Sequence, residues 1–449
     1  MKDPKISVIG AGGSFVIGLI HDICLTPSLH GATISFMDAD QDRLDTSYRL
    51  CTRYAEERGV KLKIGMTRDR RESMRDADFV ITIALIDGSR RLLEGWAIAR
   101  KLGYQWGGSY HILYDEPFWL NYYQLRLFES IVKDMIEVCP RALHLLVSNP
   151  VLAATTYLNR TYPQLQTVGL CHGFSGVNQI ARILGLDQKS LSYEIPGVNH
   201  FVWLTHVTHK GEDVFPLVDR WTREQSARYW ETHGPDQLSP KRVDLYRRLG
   251  VIPIGDTANW TGASWPWWYH SDPEVERSWK EDSEKPWFRY AEGVRDRPAR
   301  HRRIVDDPEA NIAREFHFGD EPTGEPMVPI VESVSYDVPR VVIVNILNSD
   351  EYVSGIPRDF EVEIPALVSA RGVQGIKTKG LPRPVIAHIL RDRVAPVEIE
   401  LEAYRTGSRD LLTELVLMDK WTKSLEHAGR LIDEIFALPY HQELREHYR

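Results

Sequence analysis

The chain has 449 residues, a formal charge of −8, 43% hydrophobic and 26% charged side chains. That length supports a full core without staples and predicts two or three domains, or two large ones sharing an interface. The acidic balance argues against a general nucleic-acid binder, and no apolar run approaches the roughly 18 residues of a membrane span.

Four cysteines (Cys24, Cys51, Cys139 and Cys171) include no C-x-x-C pair. They are too sparse for a disulfide framework and point to the reducing cytoplasm. The N-terminus enters a strand pattern at once, and no signal-peptide apolar region is expected there.

The run Lys5–Ile9 is short and apolar and reads as a buried strand. Gly10-Ala11-Gly12-Gly13-Ser14 and a helical pattern follow, then a second strand over 32–37 that ends at Asp38. Glycines let the backbone approach a pyrophosphate, and a helix N-terminus supplies free N–H groups and positive dipole. Asp38 stands where an acid accepts from ribose hydroxyls, favouring NAD over its phosphorylated analogue. Phe15 occupies the third glycine of G-x-G-x-x-G, so the motif alone is weak; its strand–turn–helix–strand context strengthens it. An ordinary structural turn is the competing reading.

The pattern continues with an amphipathic helix over 40–58 and strands over 60–64 and 79–84. A long helix spans 117–138, and further strands fall at 143–147 and 167–170. Unalternating apolar strands belong to parallel sheets covered on both faces. A doubly wound, Rossmann-like α/β domain over 1–196 is predicted. Gly10, Asp38, Ala84, Asn149 and Cys171 stand at carboxyl ends of its strands, where such sheets bind ligands. The segment 104–119 is long for a connection and carries His111 and Asp115, each of which either points at a substrate or sits on a surface loop.

Residues 197–449 read as a mixed α+β domain for substrate, metal and oligomerisation, with strands over 201–205 and 339–345 and helices over 219–231 and 421–436. The aromatic segment 260–270 is either a platform for a sugar face or core and interface packing. Cys171 and His200 lie in two glycine-flanked turns. A thiolate and a neutral imidazole are transition-metal ligands, zinc by ligand type alone. A buried free cysteine beside a hydrogen-bonded histidine is the plainer alternative.

Gly10-x-Gly12-Gly13-Ser14, Ser148-Asn149-Pro150, Cys171-His172-Gly173, Gly197-Val198-Asn199-His200 and Ile254-Gly255-Asp256-Thr257 occur in this order. Together they resemble the NAD- and manganese-dependent glycosidases of glycoside hydrolase family 4. The resemblance continues through Asn345 and residues 401–404 and 433–440, so it covers nearly the whole chain. It implies NAD+ held by Gly10, Gly12, Gly13, Ser14, Asp38 and Asn149, and a divalent metal, Mn2+, held by Cys171 and His200. It further implies that Asn149 and His172 contact the sugar and that Asp256 is the base. A histidine at 172, where relatives with phosphorylated substrates carry an aspartate, fits a non-phosphorylated sugar. The usual Gly-Ile-Asp pattern is not found over 107–115, which puts one acid of the family's site in question.

The implied reaction oxidises sugar C3 transiently with NAD+, removes the C2 proton with Asp256 and eliminates the glycosidic oxygen from C1, departing from the usual two-carboxylate scheme. Cys-His-Gly with Gly-Asp-Thr resembles the α-glucosidase and α-glucuronidase branch. The expectation is an α-glucuronidase or an enzyme for another C6-acidic α-hexoside, with the arginines of 289–303 as candidate partners of the C6 anion. A neutral α-glucosidase or α-galactosidase is the alternative, then a malate/lactate-type NAD dehydrogenase, then a non-enzymatic NAD-binding protein. A homodimer or homotetramer without nucleic-acid or membrane partners is expected.

Overall fold

The structure, a computed structural model, describes residues 3–86, 88–259, 261 and 264–449. Six parallel strands come first: β1 (Lys5–Ile9), β2 (Thr33–Met37), β3 (Lys63–Thr67), β4 (Phe79–Thr82), β5 (Leu143–Leu146) and β6 (Thr167–Gly169). They lie in the order 3-2-1-4-5-6. In such a doubly wound sheet the chain reverses its progress beside β1 and opens a crevice at the carboxyl ends of the strands. The Rossmann-like α/β class is the one the apolar runs predict. β3 starts three residues later than expected, because this edge strand is mostly exposed and has no apolar alternation to pin its register.

The second half contributes β7 (Leu191–Glu194), β8 (Gly197–Val198), β9 (Phe201–Leu204), β10 (His206–His209), β11 (Glu212–Asp213), β12 (Ile252–Ile254), β13 (Arg340–Leu347), β14 (Glu361–Ser369) and β15 (Gly372–Gly375). β13 lies antiparallel to β6, and the sheet runs on through β14, β8, β9 and β12, with β15 paired to β14. Asn345, on β13, donates its side-chain amide to the Gly169 carbonyl at 3.1 Å, holding this junction. Sheet hydrogen bonding therefore continues through strands on both sides of residues 196 and 197. A large apolar core joins Ile6 and Val8 to Val344 and Ile364, and a smaller one gathers Val202, Trp221 and Ile252.

Two helices of the second half differ from expectation. The segment 219–231 falls into Phe215–Glu224 and Ser226–Thr232, interrupted at Gln225. The helix expected from 421 begins at Leu425, because Ser424 caps it by accepting from the His427 N–H. Among the described residues no helix is long and apolar enough to cross a membrane.

Candidate functional site

Gly10 leaves β1 with φ +89°, and a Cβ there would sit 2.7 Å from the Ala84 Cβ just beyond β4. Only glycine permits this approach at the point where the strand order reverses. Gly12 donates its N–H to Asp38 Oδ2 at 2.9 Å, and the other Asp38 oxygen accepts from the Asp40 N–H at 3.0 Å. The acid at the end of β2 is thus locked against the glycine turn. A cavity of about 450 Å³ opens here, and Gly10, Gly12, Gly13, Ser14, Asp38 and Asn149 all line it. The helix Phe15–Cys24 starts on its wall. A glycine-faced crevice with a helix N-terminus and an acid beside it has the donor and acceptor set that a dinucleotide requires.

The opposite wall is the helix Glu284–Asp306, through Tyr290, Val294, Arg297 and His301. Arg297 donates to Ser14 Oγ at 3.4 Å. Arg295 pairs with Asp296 at 2.9 Å and Arg302 with Asp42 at 3.3 Å, while Arg300 donates to the Glu315 carbonyl. Of these arginines, candidates for a C6 anion by sequence, Arg297 lines the cleft and Arg295, Arg300 and Arg302 have partners elsewhere. Proximity of 289–303 to the catalytic motifs was not readable from the chain, because a helix crossing depends on tertiary packing.

At the inner end of the cleft, Gln124 joins two strand ends. Its amide donates to the Ala84 carbonyl at 3.2 Å and the Asn149 carbonyl at 3.0 Å, and its oxygen accepts from the Ile86 N–H at 2.8 Å. Asn149 Nδ2 donates to Asp115 Oδ2 at 3.0 Å. The segment that lacks the Gly-Ile-Asp pattern therefore delivers a carboxylate to this point. Burial, reinforced by the charge of Asp256 and opposed by Asn149, raises Asp115 above the usual carboxylate range. His111 goes elsewhere: it is buried with Nδ1 3.4 Å from Glu400 and lines neither this cavity nor the smaller one described below.

Cys171, His200 and Asp256 converge, with one donor atom from each lying within 4.8 Å of the others. Cys171 follows β6, the last of the parallel strands. His200 is the second of two residues in the turn between β8 and β9, at φ +58°. A left-handed histidine is uncommon and costs backbone energy, a feature concentrated at functional sites. Asp256 sits in the short helical turn after β12, where Thr261 Oγ1 donates to its Oδ1. Its Oδ2 is 3.4 Å from His200 Nε2.

Residues behind His200 decide which nitrogen faces the cluster. The Tyr114 hydroxyl donates to the Thr261 carbonyl, so its oxygen is left to accept from His200 Nδ1–H at 2.6 Å. The proton sits on Nδ1 and the Nε2 lone pair points toward Asp256. This tautomer follows from the hydrogen-bond network. Burial lowers the His200 pKa and keeps the ring neutral, the form that ligates metal. Burial, with the nearby Glu363 and Asp256 carboxylates, holds the Cys171 thiol well above its usual range. A sulfur, an imidazole nitrogen and a carboxylate oxygen so spaced fit a divalent transition ion, whose charge deprotonates a coordinating thiol.

Asn199 anchors the same turn, donating its N–H to Glu361 at 3.2 Å and its amide to Glu363 at 3.1 Å. Gln237 and the buried Arg242 hold the Asp256 turn. Gln237 Oε1 accepts from the Gly255 N–H at 3.0 Å and from Arg242, which also donates to the Gly255 carbonyl. Tyr114, Glu361, Glu363, Gln237 and Arg242 carry no motif, and only their neighbours in space identify them.

His172 turns away from the cluster. Its Nδ1 is 2.8 Å from Glu325, and that hydrogen bond is the main cause of a pKa pushed up to about 9. It lines a second cavity of about 250 Å³, shared with Asp256. Of the aromatic segment, Trp260, Gly262 and Ala263 lie outside the described residues. Trp265 is buried against Phe201 and Trp203 and donates to Asp392 at 2.9 Å, which is core packing.

The chain matches known proteins along most of its length. Residues 5–186 match the family described as family 4 glycosyl hydrolase, and residues 195–422 match the family 4 glycosyl hydrolase C-terminal domain. It is 26% identical to an α-glucosidase of Erwinia rhapontici over 96% of this chain and 97% of that one. It is 23% identical to an α-galacturonidase of Thermoanaerobacter italicus, over 96% and 95%. Its fold superposes on a 6-phospho-α-glucosidase from gut microorganisms, solved in complex with NAD and Mn2+, with a TM-score of 0.78 at 17% identity, covering 98% of each chain. These matches set the chain among glycoside-cleaving proteins and apart from the dehydrogenase alternative. The chain belongs to the family 4 glycosyl hydrolases.

Proposed function

We propose that this glycosidase cleaves α-glucuronides or other C6-acidic α-hexosides, using NAD+ catalytically together with a divalent metal, Mn2+. One observation carries the reading: the Cys171, His200 and Asp256 donors converge, and Asn149, which lines the dinucleotide-sized cleft, holds Asp115, whose carboxyl feels the charge of Asp256. When bound, NAD supplies reversible oxidation at the sugar ring, and the metal supplies a Lewis acid for the sugar oxygens.

The chain's own residues provide the rest. Gly10, Gly12, Gly13 and Ser14 would hold the pyrophosphate, and Asp38 the ribose. Cys171 and His200 would hold the metal. Asn149, fixed by Asp115, would orient the sugar against the cofactor. Asp256 has one oxygen engaged by Thr261, and its other faces the cluster. An oxygen placed there is suited to take the proton at C2, which becomes acidic only next to a carbonyl. His172 is paired with Glu325 at 2.8 Å, so it adds no net charge to the site, and it lines the neighbouring cavity. The relatives named α-galacturonidase are compatible with a uronic acid, and the α-glucosidase relative favours the alternative of a neutral hexoside.

The test is a panel of 4-nitrophenyl α- and β-glycosides, neutral and uronic, assayed with NAD+, Mn2+ and a thiol. Release from an α-uronide is the expected result. Release from neutral α-glycosides alone replaces it with the α-glucosidase or α-galactosidase reading. Accumulating NADH without any glycoside cleavage overturns both.

A further inference from the structure

The second cavity has no place in the reading so far. It is lined by Ser175, Gln179 and Arg182, by His172, Asp256 and Asn259, and by glycines and Gln237. Gln179 and Arg182 are three residues apart on the helix Gly176–Leu184 and Ser175 directly precedes it, so the three share a face. Among the described residues no apolar side chain lines the wall.

Its free groups are mostly donors. Arg182 is exposed, and its guanidinium makes no hydrogen bond or ion pair among the described residues. Gln179 uses its oxygen to accept from the Gln237 N–H at 3.1 Å, which leaves its NH2 to the cavity. Asn259 likewise uses its oxygen, on the Thr261 N–H at 2.5 Å. A wall of guanidinium, amide N–H and hydroxyl groups suits an acceptor-rich ligand.

The position of the cavity says which part of a substrate meets it. Resting on the proposed reading, sugar C3 faces the cofactor cleft at Asn149 and C2 faces Asp256. C1 is the next ring atom, so its substituent leaves past Asp256, which also lines this cavity. We infer that the cavity is the aglycone subsite and that it takes a second sugar unit, with Arg182 as its main specificity-determining contact. Vicinal hydroxyls or a ring oxygen accept from the guanidinium fork as an apolar aglycone does not.

The holoenzyme, supplied with NAD+, Mn2+ and a thiol, tests this with two substrates that share one uronic acid: its 4-nitrophenyl α-glycoside and an α-linked disaccharide with a neutral sugar as aglycone. Arg182→Met is expected to lower the ratio of kcat/KM for the disaccharide to that for the aryl glycoside about tenfold, mainly through KM. Arg182→Lys should restore part of it. An unchanged ratio, or equal losses on both substrates, overturns the subsite. If the wild-type enzyme cleaves neither substrate, the aryl arm has refuted the glycosidase chemistry and the subsite falls with it. Arg182 is exposed, so loss of folding is not expected to obscure the comparison.

Discussion

Gly255 lies against the backbone of Gly173: a Cβ on Gly255 would approach both the carbonyl carbon and the Cα of Gly173 to 2.7 Å. Gly255 precedes Asp256, and Gly173 follows Cys171 and His172. The contact therefore sets the spacing between two sides of the site, and φ +58° at Gly255 favours glycine a second time. Gly255→Ala should push the Asp256 turn off the cysteine loop. Since a displacement of about 1 Å can cost on the order of a hundredfold in rate, kcat is expected to fall by about that factor while NADH binding, read by fluorescence titration, changes little. An unchanged kcat would show that the two loops need not touch.

Tyr114 should matter for metal affinity. Removing its hydroxyl releases the Nδ1 proton of His200 from its acceptor and lets the other tautomer form. Changes of this kind behind a ligating histidine cost about 10–100-fold in metal affinity. Tyr114→Phe is expected to shift the Mn2+ activation curve by a factor in that range with near-normal activity at saturating metal. Cys171→Ser and His200→Ala should abolish the metal response. Normal activity in both of those variants would place the metal elsewhere.

Asp38 receives the Gly12 and Asp40 N–H groups, so its carboxylate is ordered before any ligand arrives. Asp38→Ala should weaken NADH binding about tenfold, in keeping with the loss of a charged hydrogen-bond acceptor, and should narrow the preference over NADPH. Isothermal titration with both cofactors measures the two effects. Equal affinity of the wild type for NADH and NADPH would remove Asp38 as the discriminating residue.

His144 gives the sheet an acid-sensitive element. On β5, its ring nitrogens bond Thr82 of β4 at 2.9 Å and Thr167 of β6 at 3.0 Å. Burial lowers its pKa from 6.5 to about 3. The folded ring stays neutral while the unfolded one takes up a proton below 6.5, so its contribution to stability is complete above that pH and is lost as pH falls toward about 3. At pH 4.5 the loss is about 2–3 kcal/mol, from roughly 1.4 kcal/mol per pH unit. His144→Gln should lower Tm at pH 7 yet show a shallower fall of Tm between pH 7 and 4.5 than the wild type. Parallel pH profiles would contradict this assignment.

Much of the first domain was legible because each signal was local. The run Lys5–Ile9, the glycine turn and Asp38 are adjacent in sequence, and the packing of β1 beside β2 brings them together as a unit. The one shifted strand, β3, is the edge strand with the least apolar pattern. Of the site, Cys171, His200 and Asp256 were each visible through a motif. Their supports were not: Tyr114 lies 86 residues before His200, and Glu363 lies 164 after Asn199. A buried tyrosine or glutamate has the same sequence appearance whether it stands behind a ligand or in ordinary packing.

By itself the sequence determined the parallel sheet, the crevice residues and the identity of the converging donors, because period, turn chemistry and motif order are properties of neighbouring residues. Only the tertiary structure decided how those residues face one another. It joined the two halves through β13 and β6, turned His172 toward Glu325, carried Arg297 to the cofactor cleft, and opened a polar cavity beside Asp256. Each of these depends on which surfaces of distant elements pack together, and that is set by shape and burial across the whole chain.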